Sequence, residues 1–204
     1  MIFLSILIMI TLGLFAIGPV FHSLENVILT STKAILDLPF GLAGIIIGGL
    51  QQVVVITGVH HIFNLLEIQL LADTKFNPFN PLITSAIVAQ GAATLAVGLK
   101  SKNKKVKALA FPSAFSAFLG MTEPAILGVN LRFFKPFIMG LIGGAVGGFL
   151  ASIFHLKATG MSVTAIPGLL LYLNNHIFVN LIALAVSFIL TWLFGYNDKM
   201  LKNR

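Results

Sequence analysis

KALAFPSAFSAFLGMTEPAILGVNLR, residues 107–132, decides the fold. The stretch is apolar enough to enter a bilayer, yet Glu123 and Pro124 stand near its middle. Residues 108–131 number 24. One membrane-spanning helix takes about 20 apolar residues, so two complete spans do not fit. Lys100, Lys102, Lys104, Lys105 and Lys107 precede the apolar part, and Arg132 and Lys135 follow it. Lys and Arg mark the cytoplasmic side, which puts both ends there. The pattern predicts a re-entrant hairpin over residues 108–131, with its tip at Gly120-Met121-Thr122-Glu123-Pro124. Irregular backbone at membrane depth is tolerated only where protein surrounds it or it lines a wet cavity. A carboxylate held there is costly and marks a functional site by default.

Composition agrees with a membrane setting. Hydrophobic residues make up 57% of the 204-residue chain and charged residues 9%. Mean hydropathy is +1.00. These values point away from a soluble domain and toward an all-α integral membrane bundle. The net charge of +7 invites a nucleic-acid reading. The basic residues, however, sit in clusters between apolar runs, with no basic face carrying interleaved aromatics, so no nucleic-acid partner is expected. The chain has no cysteine, which excludes disulfides and thiolate metal sites within it. His60 and His61 form a pair, but no further ligand lies at a supporting spacing, and neither a metal nor a cofactor is expected. No Walker, GxSxG or HExxH motif occurs, so ATP-driven pumping is not expected of these residues.

Taken in order, residues 2–21 are apolar and long enough to span, with Gly18-Pro19 ending or kinking the helix. The stretch lacks the basic start and small-residue cleavage site of a signal peptide. Residues 22–38 interleave Glu25, Lys33 and Asp37 with apolar positions at helical spacing. They predict an amphipathic helix at the membrane interface, or a loop helix packed on the bundle. Residues 41–59 are Gly-rich and apolar but carry Gln51-Gln52. They meet a break at Gly58-Val59-His60-His61 before an apolar run that contains Glu67. This half-length character predicts a second discontinuous element. Residues 73–81, with two Asn-Pro pairs, read as a loop. Spans are expected over 82–99, 136–155 and 176–196, with an outer loop over 156–175 that is partly inserted around 166–173. Gly140, Gly143, Gly144, Gly147 and Gly148 make a small-residue stripe for close helix packing. Lys199, Lys202 and Arg204 put the C-terminus on the cytoplasmic side.

Three blocks carry a resemblance. GMTEPAILGVNLR (120–132) is similar to the G-[IV]-T-E-P-A-I-[FL]-G-V-N-L signature of the sugar-transporting enzyme IIC subunits of the bacterial phosphotransferase system, glucose superfamily. TGVHHIFNLLE (57–67) and IVAQGAATLAVGLKSKNKKVKALAFPSAFSAFLG (87–120) match in the same order, and GVNLRFFKPFIMGLIGGAVGG (128–148) continues the likeness. The sucrose-type branch, which includes maltose and trehalose transporters, is the nearest in kind. Its members are usually more than twice this long. The resemblance therefore implies the C-terminal half of such a subunit, starting at an internal Met, in the bacterial cytoplasmic membrane. It also implies a IIB partner whose phosphocysteine phosphorylates the sugar. A chain without cysteine is not that donor, so it is a component of a transferase complex rather than its phosphoryl carrier. Further partners implied are a missing N-terminal half or a homodimer mate, besides membrane lipid.

Several residues are candidates for the site. Glu123, with Thr122 beside it, can accept hydrogen bonds from sugar hydroxyls and help draw off a proton. It can equally serve as the acid that opens the second half-helix. The resemblance implies that a histidine at the GxH position touches the sugar beside the Glu. Adjacent helical side chains diverge by about 100°, so one of the pair is expected to face the site, His60 before His61. Asn130 is a second candidate sugar contact. Arg132, Lys104 and Lys105 read as topology signals and as a docking surface for an anionic phospho-donor. Gln51, Gln52, Asn64 and Gln90 are further polar candidates. The function expected is binding of a sucrose-like disaccharide and its translocation for phosphorylation. The rivals are an ion-coupled sugar transporter with Glu123 as proton relay, and an inactive fragment of a permease.

Overall fold

The computed structural model describes residues 5, 6, 9–11, 13, 15, 18–161, 164–172 and 176–201. The span expected over residues 2–21 falls largely outside them, as do Lys202 and Arg204. Among the described residues there is no β-strand, only the isolated bridges Asn77–Ala158 and Ala158–Tyr172. The architecture is an all-α membrane bundle.

Helix α1, Gly18–Leu36, starts four residues before the amphipathic segment expected at 22–38. Residues 16 and 17, just before Gly18-Pro19, lie outside the described residues, and so does the outcome of the break expected there. Helix α2 is Leu42–Ile56. The chain then breaks at Gly58, whose φ of +76° suits a residue without a side chain. One turn, Val59–Ile62, leads into α3, Phe63–Thr74. Helix α4 is Phe79–Lys100. It therefore takes in Pro81, which the sequence placed in a loop. Asn77 explains the shift: its Oδ1 accepts from the N–H groups of Phe79 and Asn80, both at 3.1 Å, and caps the helix. The loop is thus confined to residues 75–78, and the second Asn-Pro pair lies in the first turn of α4.

Helix α5 is Lys104–Phe118, capped by Asn103, whose Oδ1 accepts from Lys105 N at 2.8 Å. The chain reverses at Gly120, φ +104°. Helix α6 returns through Glu123–Ala125, a π-turn at Ile126–Asn130 and Leu131–Phe133. Fifteen residues make α5 about 22 Å long, short of a hydrocarbon core of roughly 30 Å. Val106 and Ala110 near the start of α5 pack in one cluster with Val129 and Phe133 near the end of α6, around Tyr196. The two limbs therefore leave and rejoin the same end of the bundle. Helix α7 is Lys135–Ile153, and α8 is His176–Leu190, extended by a π-turn at Thr191–Gly195. The loop between them contains a short helix at Ala165–Gly168 and a turn at Leu169–Leu171.

Among the described residues, three helices are long and apolar enough to cross a membrane: Phe79–Lys100, Lys135–Ile153 and Ile177–Gly195. α4 is the central one and packs on α5, α7 and α8. Its composition of Ala, Gly, Ser and Thr with a few larger side chains reflects burial on all sides. α7 carries the expected small-residue stripe and spends it on three neighbours. Gly144 and Gly148 meet Gly48 and Gly44 of α2, Gly140 meets Gln90 of α4, and Gly143 meets Ser187 of α8. Lipid tails are as apolar as Leu, so close backbone contact is what draws membrane helices together.

Candidate functional site

A cavity of about 280 Å³ lies between the two interrupted elements. Gln51 and Gln52 of α2 form one wall, and His60 and His61 of the break lie at its rim. The hairpin tip, from Gly120 to Glu123, closes the opposite side. Ile83 and Ile87 of α4 give the floor its apolar part, while Glu67 of α3 and Thr164 of the α7–α8 loop complete the lining. A larger cavity of about 520 Å³ between α1 and α2 is lined almost wholly by apolar side chains and holds no titratable group. Convergent polar groups single out the smaller one.

The cavity's central feature is a contact between the two breaks. His60 Nε2 lies 3.5 Å from Glu123 Oε1. Glu123 retains 46% of its side-chain exposure, so its carboxylate is open to a ligand, whereas His60 retains 19%. His60 Nδ1 is sealed from water and has no hydrogen-bond partner among the described residues. The His61 ring lies against His60, centroids 4.2 Å apart, on the exposed side. Both imidazoles thus line the cavity, where the sequence expected one. The break is a single turn at the cavity's rim, and only His60 reaches Glu123. No lysine or arginine is among the lining residues. A carboxylate that only accepts, imidazoles that donate or accept, and neutral amides suit a polyhydroxylated, uncharged ligand.

Thr122 is in the lining and almost fully buried, as the residue before the first turn of α6. Asn130 is not in the lining. It is fully buried behind the hairpin, where its Oδ1 accepts from Thr94 Oγ1 at 2.9 Å. Its Nδ2 donates to the Gln90 backbone carbonyl at 3.1 Å and to Gln90 Oε1 at 2.7 Å. Gln90 in turn donates to the Phe137 carbonyl at 3.2 Å. The two residues tie the return limb to α4 and α7 and hold the Asn130 amide outside the cavity lining. Asn130→Leu is expected to destabilise the fold by about 1–3 kcal/mol for each group it orphans. Thermal unfolding in detergent checks this, and the affinity of the folded fraction should be unchanged.

Sequence reasoning passed over Glu67 and Thr164. Glu67 is buried and accepts from Asn77 Nδ2 at 2.9 Å and Asn80 Nδ2 at 2.6 Å. Tyr172 extends this network to Thr84, 2.7 Å away, and to Asn80. A carboxylate inside an apolar run was the available signal. Thr164 gave none, since a threonine in a loop is unremarked until Gly120 is seen to pack on it.

The family model for the EIIC of the phosphotransferase system matches residues 2–144. The chain belongs to the EIIC family. This EIIC chain is a multi-pass membrane protein. It is 42% identical to the sucrose-specific EIIBC component of the PTS system of Salmonella typhimurium over 200 residues, 95% of the chain and 44% of that protein. It is 43% identical over 165 residues to the sucrose-specific EIIBC component of Bacillus subtilis (strain 168), 81% of the chain and 36% of that protein. It is 34% identical over 161 residues to the trehalose-specific EIIBC component of the same organism, 78% of the chain and 34% of that protein. The chain spans less than half the length of these curated relatives. No solved structure matches it.

The hairpin base of the EIIC chain is a separate, basic end. Lys104, Lys105 and Arg132 are exposed there, with the Arg132 guanidinium 6.0 Å from the Phe133 ring centre. Phe133 meets Tyr196 edge-on at 4.9 Å. The Tyr196 hydroxyl donates to Asp198 Oδ1 at 3.0 Å and lies 2.9 Å from Ser101 Oγ. Lys102 N donates to Asp198 at 3.1 Å, and Ser101 Oγ donates to it at 3.1 Å. Partial burial alone would raise the Asp198 carboxyl, but these three donors hold it below the ordinary range. Burial pushes the Tyr196 hydroxyl up, so it stays a donor. A carboxyl lowered on folding stabilises above its unfolded pKa of about 3.9 and loses that contribution as pH falls through the folded value. The difference in melting temperature between the unaltered chain and Asp198→Ala is therefore expected to hold steady between about pH 6 and 8 and to shrink toward about pH 3.

Proposed function

We propose that this chain is the sugar-binding part of a phosphotransferase-system permease. It binds a sucrose-like disaccharide in the cavity between the two breaks and presents it for phosphorylation by a IIB partner. The observation that carries this reading is the meeting of Glu123 and His60, from two separate interrupted elements, in a cavity without a cationic side chain. Helix breaks facing each other across a cavity are how transporters build substrate sites. Three of the relatives above are sucrose- or trehalose-specific by name, which supports a disaccharide as ligand.

In this reading Glu123, His60 and Thr122 position the sugar, with His61 at the rim. The phosphoryl group passes from the partner's cysteine sulfur to a sugar hydroxyl oxygen, and the released proton goes to Glu123 or His60. Residues 108–131 enter the membrane from the cytoplasmic side, and residues 22–38 lie at its interface. The basic end, through Arg132, Lys104 and Lys105, docks the anionic phospho-donor, and the C-terminus is cytoplasmic. The N-terminal half of a permease, or a second copy, completes the assembly.

The test is uptake into membranes that contain the phosphotransferase relay, with the N-terminal half of a sucrose-specific EIIBC relative supplied in trans. Sucrose is expected to accumulate as its phosphate ester. Accumulation of free sucrose with proton entry would replace this reading with ion-coupled transport. No accumulation would mark the chain as an inactive fragment.

A further inference from the structure

Helix α2 is apolar except for two adjacent amides, Gln51 and Gln52, both buried. Gln52 Nε2 donates to Gln51 Oε1 at 2.8 Å. Gln52 Oε1 is shut off from water and has no hydrogen-bond partner among the described residues. Both side chains line the cavity that holds His60 and Glu123. Buried acceptors in native proteins are almost always satisfied, so an orphan beside a cavity needs an explanation. The α2 backbone is fixed against α7 through Gly44 and Gly48, so the amides cannot withdraw by moving the helix. The last torsion of a glutamine is broad and roughly two-fold, so the side chain alone can turn its amide into the cavity.

We propose that Gln52, held by Gln51, is a specificity-determining contact that accepts a hydrogen bond from one hydroxyl of the bound sugar. This rests on the functional reading above and extends it to the wall facing the hairpin tip. Glu123 offers only acceptors, and it carries a charge that any hydroxyl can use. An amide offers a fixed acceptor and a fixed donor and reads one hydroxyl's direction. The site then combines a strong, undiscriminating contact at the tip with a weaker, directional one on α2. A site built to bond a hydroxyl rejects the analogue lacking it, because its own polar group is left unmet.

The test uses the double variant Gln51→Leu/Gln52→Leu, which removes both partners of the amide pair together. Replacing both members of a buried pair by apolar groups is nearly neutral or stabilising for the fold. The variant is therefore expected to melt no lower than the unaltered chain. Its affinity for radiolabelled sucrose in nanodiscs should fall about tenfold. The unaltered chain should bind one monodeoxysucrose markedly worse than sucrose, and the variant should bind the two alike. Gln52→Asn, which keeps the amide but shortens its reach, should show an intermediate loss. Unchanged sucrose affinity in the double variant overturns the proposal, as does a lowered melting point with discrimination intact. If the unaltered chain binds no disaccharide, the functional reading falls and this inference with it.

Discussion

Gly144→Val is expected to abolish monodisperse, folded protein. A Cβ on Gly144 would fall under 3.0 Å from the Gly48 carbonyl oxygen and 3.0 Å from the Ala86 Cα, backbone atoms of α2 and α4. Backbone in a packed helix cannot swing aside as a side-chain tip can. The contact is reciprocal, since a Cβ on Gly48 would strike the Gly144 carbonyl, and Gly44 and Gly148 repeat the arrangement one turn away. A branched side chain would push α2 off α7 and carry the first break, with His60, away from the hairpin tip. The cost exceeds the roughly 1–3 kcal/mol of ordinary overpacking, because two helices must separate instead of one side chain repacking. Gly128→Ala is the control. A Cβ there meets only the Leu109 side chain, at 3.7 Å or more, an ordinary contact, so yield and melting temperature should stay normal. Size-exclusion profiles and thermal unfolding in detergent measure the two. A monodisperse Gly144→Val protein with an unshifted melting temperature would show that the glycine contact does not hold the bundle.

The breaks and the long spans were legible in the sequence for one physical reason. Lipid forces apolar length, so α4, α7 and α8 stand out, and a polar or flexible interruption such as Gly58-Val59-His60-His61 or Gly120-Met121-Thr122-Glu123 shows against that background. Helix starts were less legible. Pro81 reads as part of a loop, yet it sits inside the first turn of α4, and only the capping bonds of Asn77 reveal why. Polar residues within helices were the hardest. Asn130 and Gln52 look alike as single polar letters in apolar runs. One turns inward and bonds Gln90 and Thr94, while the other lines the cavity with an acceptor unmet among the described residues. Which way each faces depends on its helix's rotation against neighbours distant in sequence, information that no local pattern holds.

Glu123→Gln is expected to weaken sugar binding by roughly 10- to 150-fold, the worth of one charge-assisted hydrogen bond of about 1.5–3 kcal/mol. The substitution keeps the side chain's shape and length and removes its charge, so the cavity's volume is preserved. It also exchanges one acceptor for a donor, which faces His60 Nε2 3.5 Å away and turns an attraction into a contact that needs re-orientation. The fold should scarcely respond. Glu123 is nearly half exposed, and its other role, as an acid in the first turn of α6, is worth about 0.3–1 kcal/mol. Membrane insertion and melting temperature are therefore expected to stay close to those of the unaltered chain while affinity collapses. That separation is diagnostic, because a purely structural acid predicts the reverse pattern, a small loss of stability with affinity intact. Glu123→Asp sharpens the test. It keeps the charge and the first-turn role but withdraws the carboxylate by one methylene, so a ligand contact loses affinity while a helix-start acid loses nothing. Equal sucrose affinity in all three proteins, measured by equilibrium binding in nanodiscs, would remove Glu123 from the site and leave the cavity without its anchor.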